Sequence, residues 1–134
     1  MHCKQVWKDG GAVWKLTGNL KYDDLMRLIL ARNAHCRFRK AEYMIHDFLG
    51  VTGIELSEDE LGTIADHDKE SMGLAPNLRM AFVVTKESYI KRIEQFIEKM
   101  KGSSWQIKIF ESFDAAYEWA VRERWEAVLK PSAS

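Results

Sequence analysis

A chain of 134 residues with 46% hydrophobic and 30% charged residues has the size and composition of one ordinary globular domain. Its 20 lysines and arginines balance its 20 aspartates and glutamates, which argues against nucleic acid or an anionic membrane as a partner. Two cysteines are too few for a secreted disulfide framework, and neither a signal segment nor a membrane span is visible. We therefore expect one cytoplasmic domain over residues 1–130 and a flexible tail over residues 131–134.

The first half of the chain predicts two opening strands, a helix and a third strand. Asp9-Gly10-Gly11 predicts a tight turn between strands at residues 5–8 and 12–17, because its glycines permit a positive φ. Apolar residues at positions 22, 25, 26 and 29 indicate a helix with Asn33 as its terminator. A largely buried strand over residues 41–48 is then followed by a glycine-bearing loop.

The second half continues the alternation of helices and strands. Ser57 and Glu60 have the spacing of a capping box, which predicts a helix that begins at about Ser57. Residues 79–84 and 105–109 read as strands, with Thr85 as the cap of the helix between them and Ser112 as the cap of the final helix. The order ββαβαβαβα predicts an α/β fold with a single mixed, mostly parallel sheet of about five strands and helices packed on it.

Four segments together resemble the SpoIIAA-like family of small bacterial STAS-related proteins. They are WKDGGAVWKLTGNL, YMIHDFLGVTGIELSEDEL, RMAFVVT and KIFESFDAAYEWA, and the resemblance covers about residues 7–120. It implies a STAS-like or SEC14-like layered fold and a non-catalytic role. Anti-sigma-factor antagonists of this class carry a phosphorylatable serine at the start of the second helix, where Ser57 falls. The carboxylates of residues 55–60 would repel a phosphate, so we interpret Ser57 as a plain N-cap.

No set of residues in the sequence points to catalysis, a metal or a cofactor. His46 and Asp47 are adjacent on a strand and therefore point to opposite faces, and the sequence contains no Gly-flanked serine or cysteine nucleophile. We interpret His46 as a polar residue near the rim of the sheet, and Asp47 as a ligand of the loop amides around residues 50–53. A solvated acidic helix face is indicated by Asp66, His67, Asp68 and Glu70. The basic cluster at residues 37–40 indicates a solvated loop that is anchored by Phe38.

Two binding functions remain as hypotheses. The first is recognition of a protein partner through the strand-end loop and helix start at residues 47–60. Its candidate contact residues are Asp47, Gly50, Thr52, Gly53, Glu55 and Ser57. The alternative is a small apolar-ligand or lipid-binding module of SEC14-like type, with a cavity between sheet and helices. Its candidate lining residues are Leu25, Ile29, Phe82, Ile93 and Phe96.

The C-terminal helix also suggests an assembly. Val121, Trp125, Val128 and Leu129 form an apolar stripe at helical spacing, on an extension that a small sheet is too short to cover. One hypothesis is a two-fold homodimer through this stripe. The other is that the helix folds back and buries the stripe within its own chain.

Overall fold

One five-stranded sheet forms the centre of the protein in a computed structural model that describes residues 1–124. The strands lie side by side in chain order, with β1 antiparallel to β2 and every later neighbour parallel. They are β1 (His2–Lys8), β2 (Gly11–Lys21), β3 (Tyr43–Glu55), β4 (Arg79–Val83) and β5 (Gln106–Phe110). The predicted mixed, mostly parallel sheet and the order ββαβαβαβα are both confirmed.

Four helices cover the two faces of this sheet. They are α1 (Tyr22–Ala34), α2 (Glu58–Glu70), α3 (Glu87–Lys99) and α4 (Phe113–Tyr117); a 3-10 turn follows α2 at Ser71–Gly73, and a π-helical turn extends α4 at Glu118–Arg122. Helices α1 to α3 each connect two neighbouring parallel strands. Because such connections are right-handed and the strands follow one another in one direction across the sheet, the three helices lie on the same face. Within residues 1–124, none of these helices has the length and apolarity to cross a membrane.

Each face of the sheet has its own hydrophobic core, because successive strand residues point to opposite sides. The larger core joins the sheet to α1, α2 and α3 through residues such as Ile29, Ile64 and Phe96. The smaller core packs Tyr43, Ile45, Ala81 and Val83 against Ala116, Trp119, Ala120 and Val121. Val121, the first residue of the proposed dimer stripe, is thus buried in its own chain, while positions 125, 128 and 129 lie outside the described residues.

The local signals predicted two helix starts well. Ser57 Oγ accepts a hydrogen bond from the Glu60 amide at 3.1 Å, and the Glu60 carboxylate accepts one from the Ser57 amide at 2.9 Å. Ser112 Oγ likewise accepts from the Ala115 amide at 3.2 Å. The capping box and the Ser112 cap are therefore confirmed.

Two predicted helix boundaries are wrong. The N-cap of α3 is Lys86 and not Thr85, and its side chain makes no capping hydrogen bond. Asn33 does not terminate α1, which continues to Ala34. Its side-chain amide instead donates to Ser71 Oγ at 2.9 Å, so a tertiary contact outweighs the residue's local preference for a helix end.

Strand β3 is longer than predicted, and the expected loop over residues 48–53 is part of it. This part pairs with β2, and two register shifts mark irregularities between the strands. A Cβ atom at Gly50 would lie 2.8 Å from Thr17 Cγ2, and one at Gly53 would lie 2.6 Å from Asn19 Oδ1. The glycines therefore permit a close approach of β2 and do not form a turn.

Candidate functional site

Three aromatic rings form a row across the central strands, on the face covered by α1, α2 and α3. Trp14 on β2 lies opposite His46 on β3, which lies opposite Phe82 on β4, so the side chains share one face. The Trp14 and His46 rings meet edge to face with centroids 5.2 Å apart. The His46 and Phe82 rings stack with centroids 4.8 Å apart. We call these three residues the aromatic floor.

A cavity of about 80 Å³ lies between the aromatic floor and the three helices. All five residues that the sequence suggested for a ligand pocket line it, namely Leu25, Ile29, Phe82, Ile93 and Phe96. Pockets for drug-sized molecules hold roughly 300–1,000 Å³, so this one suits a much smaller molecule. Its remaining walls are mostly aliphatic, from residues such as Leu20, Ile54, Leu61 and Met80.

Two polar atoms of the aromatic floor lack partners. Trp14 is 2% exposed and His46 is 6% exposed, and neither Trp14 Nε1 nor His46 Nδ1 has a hydrogen-bond partner within residues 1–124. A buried polar group left unpaired typically costs about 1–3 kcal/mol. Native proteins retain few such groups, so each calls for an explanation.

His46 is uncharged at neutral pH. Burial and then the positive charge of Arg32 lower its pKa to about 3, against the opposing effect of an interaction with the backbone of Ala81. The prediction that His46 lies near the rim of the sheet is wrong. It is on the central strand, under the helices, because β3 has neighbours on both sides at this position.

A buried ion pair forms part of the cavity wall. Arg32 Nη2 on α1 donates to Asp68 Oδ1 on α2 at 2.8 Å, and both side chains are almost fully buried. The Arg32 guanidinium also lies over the Phe38 ring, 4.6 Å from its centroid. Burial raises the pKa of Asp68, and the adjacent Arg32 charge opposes that rise.

The ion pair corrects the prediction of a solvated acidic face on α2, because Asp68 belongs to the buried side of that helix. A signal for it was present in the sequence. Asp68 continues the apolar stripe of Leu61, Ile64 and Ala65, and Arg32 follows Ile29 on the buried side of α1. One opposite charge on each of two apolar stripes predicts a pair between the helices.

Arg92 connects the cavity to the start of α2. It lines the cavity from α3, and its guanidinium donates to the carbonyl of Leu56, the residue before Ser57. A second nitrogen donates to Gln95 Oε1 at 2.8 Å. The bond between Arg92 and Leu56 therefore attaches α3, above the cavity, to the chain directly after β3.

The residues suggested for partner recognition are spread along the outer half of β3 and the start of α2. Gly50, Thr52, Glu55 and Ser57 are exposed, and Gly53 is half-buried. Together with exposed Leu49 we call residues 49–60 the β3–α2 surface. Strand β4 pairs with β3 only as far as Asp47, so within residues 1–124 the outer half of β3 pairs with β2 alone.

Asp47 is buried and does not belong to the β3–α2 surface. Its Oδ1 accepts a hydrogen bond from the Leu49 amide at 2.9 Å. The expectation that it binds amides around residues 50–53 is therefore wrong in position, because the irregularity in the β2–β3 pairing begins directly after Asp47. Its chemical role, a carboxylate that fixes a nearby backbone amide, is as predicted.

The basic loop and the acidic residues offer no second site. Phe38 is fully buried and anchors its loop in the larger core, as predicted. Arg37 donates from this loop to the carbonyl of Trp7 at 3.0 Å. In the part of the chain that the structure describes, no group of three or more histidine, cysteine, aspartate or glutamate residues is arranged to hold a metal ion.

Two solved structures resemble this architecture over nearly its full length. The anti-sigma factor antagonist SpoIIAA in its unphosphorylated form matches with a TM-score of 0.58 and 10% identity, over 95% of this chain and 97% of that chain. The chain has a SpoIIAA-like fold. An uncharacterised DUF3478-family protein from Shewanella loihica PV-4, itself with a SpoIIAA-like fold, matches with a TM-score of 0.54 and 19% identity, over 89% of this chain and 92% of that chain.

No protein-family model matches the sequence, and no curated protein matches it. The fold implied by the four sequence segments is confirmed by the two structural matches. Between SpoIIAA-like folds at such low identity, shared architecture does not transfer a function. The function has to be argued from the cavity and from the β3–α2 surface.

Proposed function

We propose that this SpoIIAA-like domain is a non-catalytic binding protein that holds a small, largely apolar molecule in the cavity above the aromatic floor. The observation that carries the proposal is the cavity itself, with its apolar walls and two buried nitrogens without protein partners. An apolar pocket with a few convergent polar groups is the usual form of a ligand site. A bound molecule would satisfy the nitrogens and fill the space.

The chemistry of the side chains around the cavity supports a non-catalytic role. The carboxylate of Asp68 is paired with Arg32, with 2.8 Å between Oδ1 and the guanidinium nitrogen Nη2. Asp47 neighbours His46 on β3 but points to the opposite side of the strand, so it cannot orient that imidazole. None of the residues that line the cavity is a serine, cysteine, threonine or lysine.

Native mass spectrometry of the protein purified from its own host tests the proposal. We expect a retained small molecule, which dissociates on denaturation. The variant Ile93→Phe adds bulk to the cavity and should lose that molecule. Ile97→Phe is the matched control, because Ile97 lies one turn further along α3 and packs on the core without lining the cavity.

Two outcomes would contradict the proposal. One is wild-type protein without a retained molecule whose melting temperature is also unaffected by phenol or toluene, since a ligand that binds the folded state must raise it. The other is equal retention by Ile93→Phe and wild type. Loss of the molecule from Ile97→Phe as well would assign the effect to α3 packing and not to the cavity.

A second candidate function is recognition of a protein partner at the β3–α2 surface. Leu49 is 53% exposed there, and the outer half of β3 has an edge without a neighbouring strand within residues 1–124. Glu55, Glu58 and Asp59 are exposed beside it. An extended, basic segment would complement both the backbone edge and the charge. The similarity to an anti-sigma factor antagonist supports a protein as the partner.

Substitutions at two exposed leucines distinguish partner recognition at this surface from nonspecific binding. Leu49→Glu should abolish capture of the partner from a host lysate. Higher salt should weaken capture by the wild-type protein, because it screens the acidic residues. Leu30→Glu is the matched control, because Leu30 is 55% exposed on α1 and lies outside the β3–α2 surface. If wild type and both variants capture the same proteins, this surface does not recognise a partner.

A further inference from the structure

The polar group of the bound molecule can be inferred from the two unpaired nitrogens of the aromatic floor. The indole Nε1 of Trp14 is always a donor, so it needs an acceptor. The state of the His46 ring decides what the second nitrogen offers. Because the pKa of His46 is lowered to about 3, its ring is neutral and carries one proton on one of its two nitrogens.

The position of that proton follows from the backbone contact of His46. Its Nδ1 has no partner within residues 1–124, so we assign the interaction with the backbone of Ala81, which raises the pKa of His46, to Nε2. An interaction that raises the pKa favours the protonated imidazole, as a carbonyl acceptor does, so we take the Ala81 carbonyl as its acceptor. Nε2 therefore carries the proton, and Nδ1 presents a lone pair.

A donor and an acceptor thus lie on neighbouring rings whose centroids are 5.2 Å apart. A hydroxyl group satisfies both, since it accepts one hydrogen bond and donates another. A carbonyl group would satisfy only Trp14. A carboxylate would turn its charge towards the lone pair of His46. The two arginines that line the cavity already have partners, Arg32 in Asp68 and Arg92 in the Leu56 carbonyl and Gln95.

The size of the molecule follows from the cavity volume. A water-sized position takes up about 10–15 Å³, so about 80 Å³ has room for roughly five to eight non-hydrogen atoms. We propose that the ligand is a small uncharged alcohol or phenol whose hydroxyl group lies between Trp14 Nε1 and His46 Nδ1. This inference rests on the proposed ligand-binding function and adds the chemical class of the ligand to it.

Matched probes test the inference by nuclear magnetic resonance of the ¹⁵N-labelled full chain. Phenol and toluene have nearly the same shape and differ in the hydroxyl group, and 1-pentanol and butyrate compare a neutral with an anionic chain. We expect phenol to bind about tenfold more tightly than toluene, the worth of one to two hydrogen bonds. The indole N–H signal of Trp14 should move downfield with phenol and not with toluene.

Two other indole signals serve as internal controls. Trp105 donates to the Ala75 carbonyl at 2.7 Å, and Trp119 lies on the opposite face of the sheet, so neither should respond. His46→Phe keeps a ring on the floor but removes the acceptor, so the phenol hydroxyl keeps only its bond with Trp14 and the preference for phenol over toluene should fall well below tenfold. If that variant does not fold, Trp14→Phe removes the donor and makes the same prediction.

The outcomes separate the inference from the function on which it rests. Equal affinity of wild type for phenol and toluene would overturn the hydroxyl inference and leave the ligand-binding function standing. Tighter binding of butyrate than of 1-pentanol would also overturn it, in favour of an anionic ligand. If no probe binds and the Trp14 signal never moves, both the function and the inference are wrong.

Discussion

Acidification should destabilise the protein through His46. Its pKa lies at about 3 in the folded chain, against 6.5 for an ordinary histidine. The unfolded chain therefore takes up a proton as the pH falls below 6.5, whereas the folded chain does not until about pH 3. The contribution of neutral His46 to the unfolding free energy is therefore complete above pH 6.5 and decreases as the pH falls from 6.5 towards 3. At pH 5 the loss is about 1.5 pKa units at 1.36 kcal/mol each, or about 2 kcal/mol.

Urea melts at pH 7, 6 and 5 measure this loss when wild type is compared with His46→Phe. The comparison removes the contribution of Asp68, whose raised pKa would change stability in the opposite direction. We expect the difference in unfolding free energy between the two proteins to change by about 2 kcal/mol from pH 7 to pH 5. His2→Phe, at an exposed histidine, is the control. A difference that stays constant with pH would refute a buried neutral His46.

Three further substitutions test separate parts of the structure. Ser57→Ala should lower the unfolding free energy by about 1 kcal/mol in denaturant melts, and no change would argue against its role as N-cap. Asp68→Ala leaves Arg32 buried without its carboxylate and should cost about 3–5 kcal/mol, most of which Arg32→Met in the same chain should restore; a loss under about 1 kcal/mol in the single variant would contradict the buried pair. Asp47→Ala should speed hydrogen exchange at the Leu49 amide, and unchanged protection there would contradict the observed bond.

The sequence predicted those features that depend on neighbours along the chain. The capping box at Ser57 and Glu60 needs only a spacing of three residues, and it forms as expected. The cavity residues Leu25, Ile29 and Ile93 were found because helical periodicity identifies the side of a helix that faces the sheet. Local patterns therefore identified the part of the cavity wall that these helices contribute.

Features that depend on distant residues could not be predicted in the same way. The glycines at positions 50 and 53 resembled a loop, and only the approach of Thr17 and Asn19 from β2 explains them as parts of a strand. His46 is buried because β3 is the central strand of the sheet, and hydrophobic periodicity does not reveal the order of the strands. Both errors concern β3, the central strand of the sheet.

The order of the strands has a consequence for how the protein folds as it is synthesised. Every strand pairs with the one before it in the chain, so no strand has to insert between two that are already paired. The sheet can grow from the β1–β2 hairpin by adding one strand and one helix at a time, each closing a loop of modest length. The ribosome releases the segments in the same order. In this order of growth the helices that roof the aromatic floor would be added one after another, and the cavity would be complete only after α3 has packed on the sheet.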